Sequence, residues 1–437
     1  MKFKNVIFLI IGKIVLKLLR FLRVGSGSTW PGHIILFLNK NFIKQLLSVN
    51  KNLKTVFVTG TNGKTTTCSI LTYILKHSNF RVFNNAEGAN LLNGVATAII
   101  NNCRINGKIN YDVAVFEIDE NTLHLVTKQI SPNIVIILNL FRDQLDRYGE
   151  TDIIVNKWKN SLMKLDKKTK IYLNGDDPQV SYLGNELKAK IVYFGLANDY
   201  LTNEEIKHDV DSIYCPKCQR RLFYKGISYS HLGNFFCVCG FQRPQIKTIN
   251  IIKKDYQISG IFNFYNITAA TLALNDDFLI PIDKIKELIR DFKPSFGRQE
   301  RIKLFNKYIY FYLAKNPVGL NQSIDLLLSK INKKRDVIWF ILNDRIPDGT
   351  DISWIWDVEI EKLKILQNKI FVSGDRTYDM ALRLKYADIK EIIPIKNLKE
   401  AMKKIKENSE KNSNIFILPT YTAMLEVRKI LIGRKFL

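Results

Sequence analysis

The sequence predicts an α/β protein with three parts. These are a P-loop central domain on a parallel sheet carrying an inserted four-cysteine zinc ribbon, a smaller C-terminal α/β domain, and a basic helical segment at the N-terminus. Three observations carry this. Short Val- and Ile-rich segments recur, separated by stretches long enough for crossover helices. A glycine-containing phosphate loop stands between one such strand and a helix. Four cysteines in two tight pairs then interrupt the rhythm. A chain of 437 residues is too long for one ordinary domain. Its 46% hydrophobic and 11% aromatic content excludes a largely disordered chain.

Residues 1–49 form the first part. From Met1 to Gly25 there is no acidic residue, and Lys13, Lys17 and Arg20 fall at helical spacing on one face. The apolar run Val6 to Ile11 is too short to span a bilayer, and no small-residue cleavage site follows. Two readings stay open: a basic amphipathic helix lying in a membrane interface, or one packed on its own domain with Lys in water. Residues 50–295 form the central domain. Strands are expected at Lys54–Thr59, Val113–Ile118, Ile134–Asn139, Lys170–Asn174 and Ile191–Phe194, with helices over Lys64–His77 and Gly260–Leu274. The insert occupies about 205–249, and Phe292–Gly297 reads as a linker. The last part, 296–437, repeats the alternation at Tyr308–Leu313, Val337–Leu342, Ile370–Ser373, Ile392–Ile395 and Ile415–Leu418. Pro394 confines the fourth of these to an edge or a strand end.

The run Thr59-Gly60-Thr61-Asn62-Gly63-Lys64-Thr65-Thr66 supplies what phosphate binding needs. Glycines let backbone N–H groups close around the phosphates, and the helix start adds its dipole. Lys64 would reach the β- and γ-phosphates, and the Thr65 hydroxyl would meet Mg²⁺. Val58 replaces the first glycine of the general P-loop pattern, leaving the shorter G-T-N-G-K-T-T form. Cys215-x-x-Cys218 and Cys237-x-Cys239 can supply four thiolates to a structural, tetrahedral Zn²⁺. Free buried thiols and a nucleic-acid-binding ribbon are the alternatives. Net charge is +25, but the lysines are scattered, and no basic stripe interleaved with aromatics marks a nucleic-acid surface on the ribbon. Two close Cys pairs suit a reducing compartment such as the cytoplasm.

The shorter loop resembles the ATP loop of the Mur ligase and folylpolyglutamate synthase superfamily, and other segments agree in order. Glu117 matches a Mg²⁺ ligand. Asn139 to Gly149 is similar to N-L-x-x-D-H-L-D-x-x-G, with Gln144 in the place of a metal-binding His. Asn174 with Asp176-Asp177-Pro178 looks like another nucleotide-side element. Gly260 to Asn266 resembles the G-x-H-N-x-x-N helix near the base, bringing in Asn263 and Asn266, and Arg298 matches the hinge Arg near the phosphates. About 58 residues precede the loop, too few for the usual nucleotide-sugar domain, so a lipid-linked substrate is expected.

The ribbon and the C-terminal segments resemble the MurT family within that superfamily. Those segments are Lys315-Asn316-Pro317, Asn343-Asp344, Asp348 to Trp354, Gly374-Asp375-Arg376 and Pro419 to Thr422. The resemblance implies amidation of the D-glutamate α-carboxylate of lipid II through an acyl phosphate, with ATP, Mg²⁺ and structural Zn²⁺. Ammonia would come from a GatD-type glutaminase in a heterodimer, at the inner face of the membrane, without nucleic acid. ATP would be held by Gly60, Thr61, Asn62, Gly63, Lys64, Thr65, Thr66, Asn263, Asn266 and Arg298, and Mg²⁺ by Thr65 and Glu117. Lys64 and Asp351 would be catalytic, Asp351 by completing the partner's Cys–His pair. On spacing alone Asp351 is an ordinary capping residue in an Asp/Gly/Ser-rich turn. Cys68, beside the loop, reads as core. The competing functions are a Mur- or folylpolyglutamate-type ligase that adds an amino acid, and a P-loop ATPase that binds nucleic acid.

Overall fold

The computed structural model describes residues 3–22, 29–85, 89–143, 151–202, 211–250, 258–293, 297–304, 307–410 and 413–433. Six strands make the first sheet: β1 (Lys54–Thr59), β2 (Val82–Asn84), β3 (Val113–Glu117), β4 (Ile134–Ile137), β5 (Lys170–Asn174) and β6 (Lys190–Phe194). Their order is β2-β3-β1-β4-β5-β6 and every pairing is parallel. Successive side chains of a strand point to opposite faces, and here both faces are apolar. Val56, Val58, Val113, Val115 and Ile136 join one buried cluster, while Phe57, Ala114, Phe116, Val135 and Ile137 join another. Helices Lys64–His77, Ile261–Phe278 and Ile282–Asp291 cover the first face. Helices Phe3–Phe21, Trp30–Leu38, Leu92–Asn102 and Thr151–Leu162 cover the second. Each fully buried Ile or Phe of these strands stabilises by roughly 1.5–3 kcal/mol over an exposed one.

Because β1 has β3 on one side and β4 on the other, the chain order reverses at β1. The crevice beyond its C-terminal end is the place where sheets of this kind bind ligands. The phosphate loop occupies that end.

The insert contains a hairpin, β7 (Phe223–Tyr229) and β8 (Leu232–Phe236), built on a small core of Cys215, Leu222, Tyr224, Ile227, Phe235 and Cys237. The second sheet takes β9 (Arg298–Leu304), β10 (Lys307–Tyr312), β11 (Val337–Ile341), β12 (Ile370–Ser373), β13 (Ile392–Pro394) and β14 (Ile415–Pro419) in the order β13-β12-β11-β14-β10-β9. Its pairings are parallel except β9 on β10. β13 lies at the edge, as Pro394 requires. Four strands were not expected, β2, β7, β8 and β9. β2 has three residues, β7 and β9 read as mixed polar stretches (FYKGISY and RQERIKL) without an apolar run, and β8 (LGNFF) is five residues inside the insert. β9 pairs on one side only and is half-exposed, so its sequence carries no core signal. Arg298, expected in a hinge, is its first residue. Expected features at 203–210, 294–296 and Gln144, Asp146 and Gly149 lie outside the described residues.

Candidate active site

The loop between β1 and the Lys64–His77 helix closes on its neighbours through polar contacts. Gly63 has φ +92°, and a Cβ there would stand 2.1 Å from Asn266 Oδ1. Only glycine fits that turn. Asn139, beyond β4, accepts from Asn62 N–H at 2.8 Å and donates to Asn62 O at 3.0 Å. Thr61 Oγ1 pairs with the backbone of Phe141 in both directions, at 2.9 and 3.1 Å. The β4 exit therefore pins the loop.

Beneath it lies a buried charge cluster. Lys64 Nζ donates to Gly60 O at 2.6 Å, Thr61 O at 3.1 Å and Glu120 Oε2 at 2.8 Å. Burial lowers this ammonium, but Glu120, Asp119 and Glu117 outweigh burial and hold it above the usual lysine range. Burial likewise raises Glu120, yet Lys64 and Lys315 prevail and hold its carboxyl below the usual range. At Asp143 burial wins over Lys315, and its carboxyl is raised. Lys315 Nζ reaches Asp143 Oδ2 at 2.5 Å from the C-terminal half. Thr65 Oγ1 donates to Glu117 Oε2 at 2.8 Å, so the two expected Mg²⁺ ligands are neighbours. Glu120 Oε1 and Asp143 Oδ1 are buried without a hydrogen-bond partner among the described residues. A set of hard oxygen donors with unpaired capacity fits a divalent cation such as Mg²⁺.

A cavity of about 90 Å³ opens beside the loop, lined by Asn62, Gly63, Thr66, Asn263, Asn266 and Arg298 among others. Thus residues from the loop, from the Ile261–Phe278 helix and from β9, all expected at the nucleotide, line one space. Tyr229 of the ribbon hairpin and Tyr312 and Val318 of the C-terminal half complete the walls. Asn316 caps the Pro317–Leu328 helix by accepting from Gly319 N–H at 2.8 Å, and its Nδ2 reaches Asn62 Oδ1 at 3.2 Å. Glu120, Lys315 and Tyr229 were not among the expected site residues. Glu120 had a signal, since it follows Glu117 by three residues just past a buried strand. Lys315 had one in the family-like Lys-Asn-Pro, and Tyr229 had none.

The four cysteines converge elsewhere. Their sulfurs all lie within 4.8 Å of one another, with Cys218–Cys237 at 3.5 Å and Cys215–Cys239 at 3.7 Å. A tetrahedron of Zn–S bonds near 2.3 Å places sulfurs about 3.8 Å apart, so the set fits Zn²⁺. The Phe241 N–H, more than any other neighbour, holds the Cys239 thiol down to about 7. Asp351 stands apart from both sites. Its oxygens accept from Ser353 N–H at 2.8 Å and Ser353 Oγ at 3.0 Å, closing an Asx turn just ahead of the short turn Ser353–Asp357. Cys68 is buried in the first sheet's core.

Fold and site together define an ATP-dependent ligase of the Mur type. The family model for the Mur ligase middle domain matches residues 58–274, and that for the MurT ligase C-terminal region matches 313–424. The chain is 35% identical over 413 residues to the lipid II isoglutaminyl synthase (glutamine-hydrolyzing) subunit MurT of Staphylococcus aureus strain COL, covering 91% of each. It is 33% identical over 433 residues to the subunit of the same name from Streptococcus pneumoniae strain ATCC BAA-255 / R6, covering 94% of each. The chain belongs to the MurT family. Among solved structures, the pseudomurein peptide ligase type C of Methanothermus fervidus superposes with a TM-score of 0.64 at 26% identity, covering 87% of this chain and 78% of that one.

Proposed function

We propose that this chain is the synthetase subunit that amidates the α-carboxylate of D-glutamate in lipid II, yielding D-isoglutamine, with ammonia delivered by a GatD-type glutaminase in a heterodimer. The observation that carries the reading is the grouping of Lys64, Thr65 and Glu117 under the phosphate loop of a MurT-family chain. The substrate carboxylate attacks the γ-phosphorus of ATP, the bond to ADP breaks, and an acyl phosphate forms. Ammonia then adds to the acyl carbon, phosphate departs with the bonding pair, and a proton is lost to solvent. Lys64 turns from Glu120 toward the β- and γ-oxygens, and with Arg298 it stabilises charge on the transferred group. Thr65 and Glu117 would hold Mg²⁺, which would supply charge neutralisation at the phosphates. Asn263 and Asn266 line the base side of the cavity. Cys215, Cys218, Cys237 and Cys239 would hold Zn²⁺ as a structural ion.

Mass spectrometry of lipid II tests the reading. Purified chain with lipid II, MgATP and ammonium should lower the product mass by about 1 Da, hydroxyl exchanged for amine, with ADP released. Glutamine should replace ammonium only when a GatD-type subunit is present. A gain of one amino-acid residue's mass instead would overturn amidation.

A further inference from the structure

The Phe3–Phe21 helix is apolar on the side that faces away from the protein. It buries Asn5, Leu9, Gly12 and Leu16. Asn5 Nδ2 donates to Gln45 Oε1 at 2.8 Å, and a Cβ on Gly12 would stand 3.0 Å from Ile100 and 3.3 Å from Ile35. At about 100° per residue these four positions share one face. The opposite face carries Ile7, Ile10, Ile14, Leu18 and Phe21, exposed by 42%, 38%, 50%, 53% and 85%. A helix on a protein surface ordinarily turns polar side chains outward. Here the outward stripe is five large apolar residues, with exposed Lys4 and Lys17 at its two edges. Phe37 and Leu38, on the helix packed against it, are exposed as well.

The charge says what the stripe meets. No Asp or Glu precedes Glu87, while ten Lys and three Arg stand in that stretch. An apolar stripe with a cationic rim and no polar group inside it offers a protein partner no hydrogen-bonding register. An anionic bilayer interface suits that combination, with Ile, Leu and Phe among the acyl chains and Lys at the headgroups. We infer that this helix docks the enzyme on anionic lipid through Ile7, Ile10, Ile14, Leu18 and Phe21. The inference deepens the reading of a lipid-linked substrate, and its test is independent of that reading.

Sedimentation with vesicles reads it directly. The full chain should sediment with vesicles of phosphatidylglycerol and phosphatidylcholine, and far less with phosphatidylcholine alone. Binding to the anionic vesicles should fall several-fold between about 0.1 and 0.5 M salt. The I14E/L18E double variant should lose about 100-fold in vesicle affinity, and Lys17→Glu about three- to tenfold. Both substitute exposed side chains, so circular dichroism and amidation of detergent-solubilised lipid II should match the parent. Failure of amidation by the parent chain in detergent would strike the functional reading and leave the docking test intact. Wild-type-like vesicle binding by I14E/L18E overturns the proposal. So does loss of a glutaminase complex or of a homodimer in that variant with vesicle binding unchanged, since the stripe would then be a protein interface.

Discussion

At the scale of single residues, the decisive arrangement is Lys64 folded onto Glu120, with side chains 7% and 2% exposed. Breaking a buried pair leaves an uncompensated charge, so Lys64→Met should cost about 3–5 kcal/mol besides abolishing activity. The pH dependence follows from the directions of shift. In the wild type Glu120 sits below its ordinary value, so its contribution is present above about pH 4.3 and is lost as pH falls through the folded value. Without Lys64 burial dominates and the carboxyl rises. The folded variant then keeps a proton that the unfolded chain sheds, and stability falls as pH rises through that higher value. Urea unfolding at pH 5 and pH 8 should show the deficit widening toward pH 8. A deficit of equal size at both would mean that Glu120 is not the uncompensated group. Asp351 permits a second test. Asn keeps an acceptor for Ser353 N–H and so the Asx turn, and Asp351→Asn should leave ammonium-driven amidation unchanged. If the carboxylate completes the partner's glutaminase centre, glutamine-driven amidation should drop by about 100-fold or more. Equal rates from both nitrogen sources would reduce Asp351 to a turn residue.

At the scale of elements, the ribbon reaches the cavity beside the phosphate loop through its hairpin. Tyr229 lines that cavity and packs on Phe141 and Tyr265, with ring centres 6.0 and 5.8 Å apart. Phe141 is the residue whose backbone holds Thr61. Loosening the ribbon should therefore reach the phosphate loop. Cys218→Ser with Cys237→Ser should reduce bound zinc to near zero by atomic emission and weaken ADP binding about tenfold by calorimetry. Zinc loss with unchanged ADP affinity would confine the ribbon to its own stability. None of this coupling was legible in the sequence, because a hairpin of mixed polarity gives no sign of where its tip docks. The parallel strands were legible for the opposite reason: buried on both faces, they carry near-continuous apolar stretches such as the VFV of KTVFVT and the VAVF of VAVFE. The phosphate loop was legible because its glycines, Lys and Thr are adjacent in the chain. Glu120 and Lys315 complete the charge cluster from 56 residues beyond Lys64 and 172 beyond Asp143, separations at which spacing says nothing.

At the scale of the whole molecule, the halves meet beside the phosphate loop through polar pairs as well as apolar contacts, Val318 joining the central core and Phe262 packing on both cores. Lys315 joins Asp143, Asn316 joins Asn62, and Arg142 Nη2 reaches Asp357 at 3.3 Å. Polar contacts of this kind permit relative motion of the parts they join. Lys315 also acts on Glu120, which it helps to keep ionised. Closing the halves therefore brings a second cation to the carboxylates beside the phosphate loop. A lysine that works by setting this closed geometry affects turnover more than nucleotide binding, because the walls around Asn263, Asn266 and Arg298 do not depend on it. Lys315→Met should lower kcat by about 10- to 100-fold while the KM for ATP shifts by less than about threefold. Lys315→Arg, which keeps the charge, should recover most of the loss. Small-angle scattering with MgADP should show compaction in the wild type and in Lys315→Arg, and not in Lys315→Met. If kcat stays at the wild-type value in Lys315→Met, closure is set by Asn316 and Arg142 without this ion pair. If KM rises as steeply as kcat falls, Lys315 belongs to the nucleotide site itself.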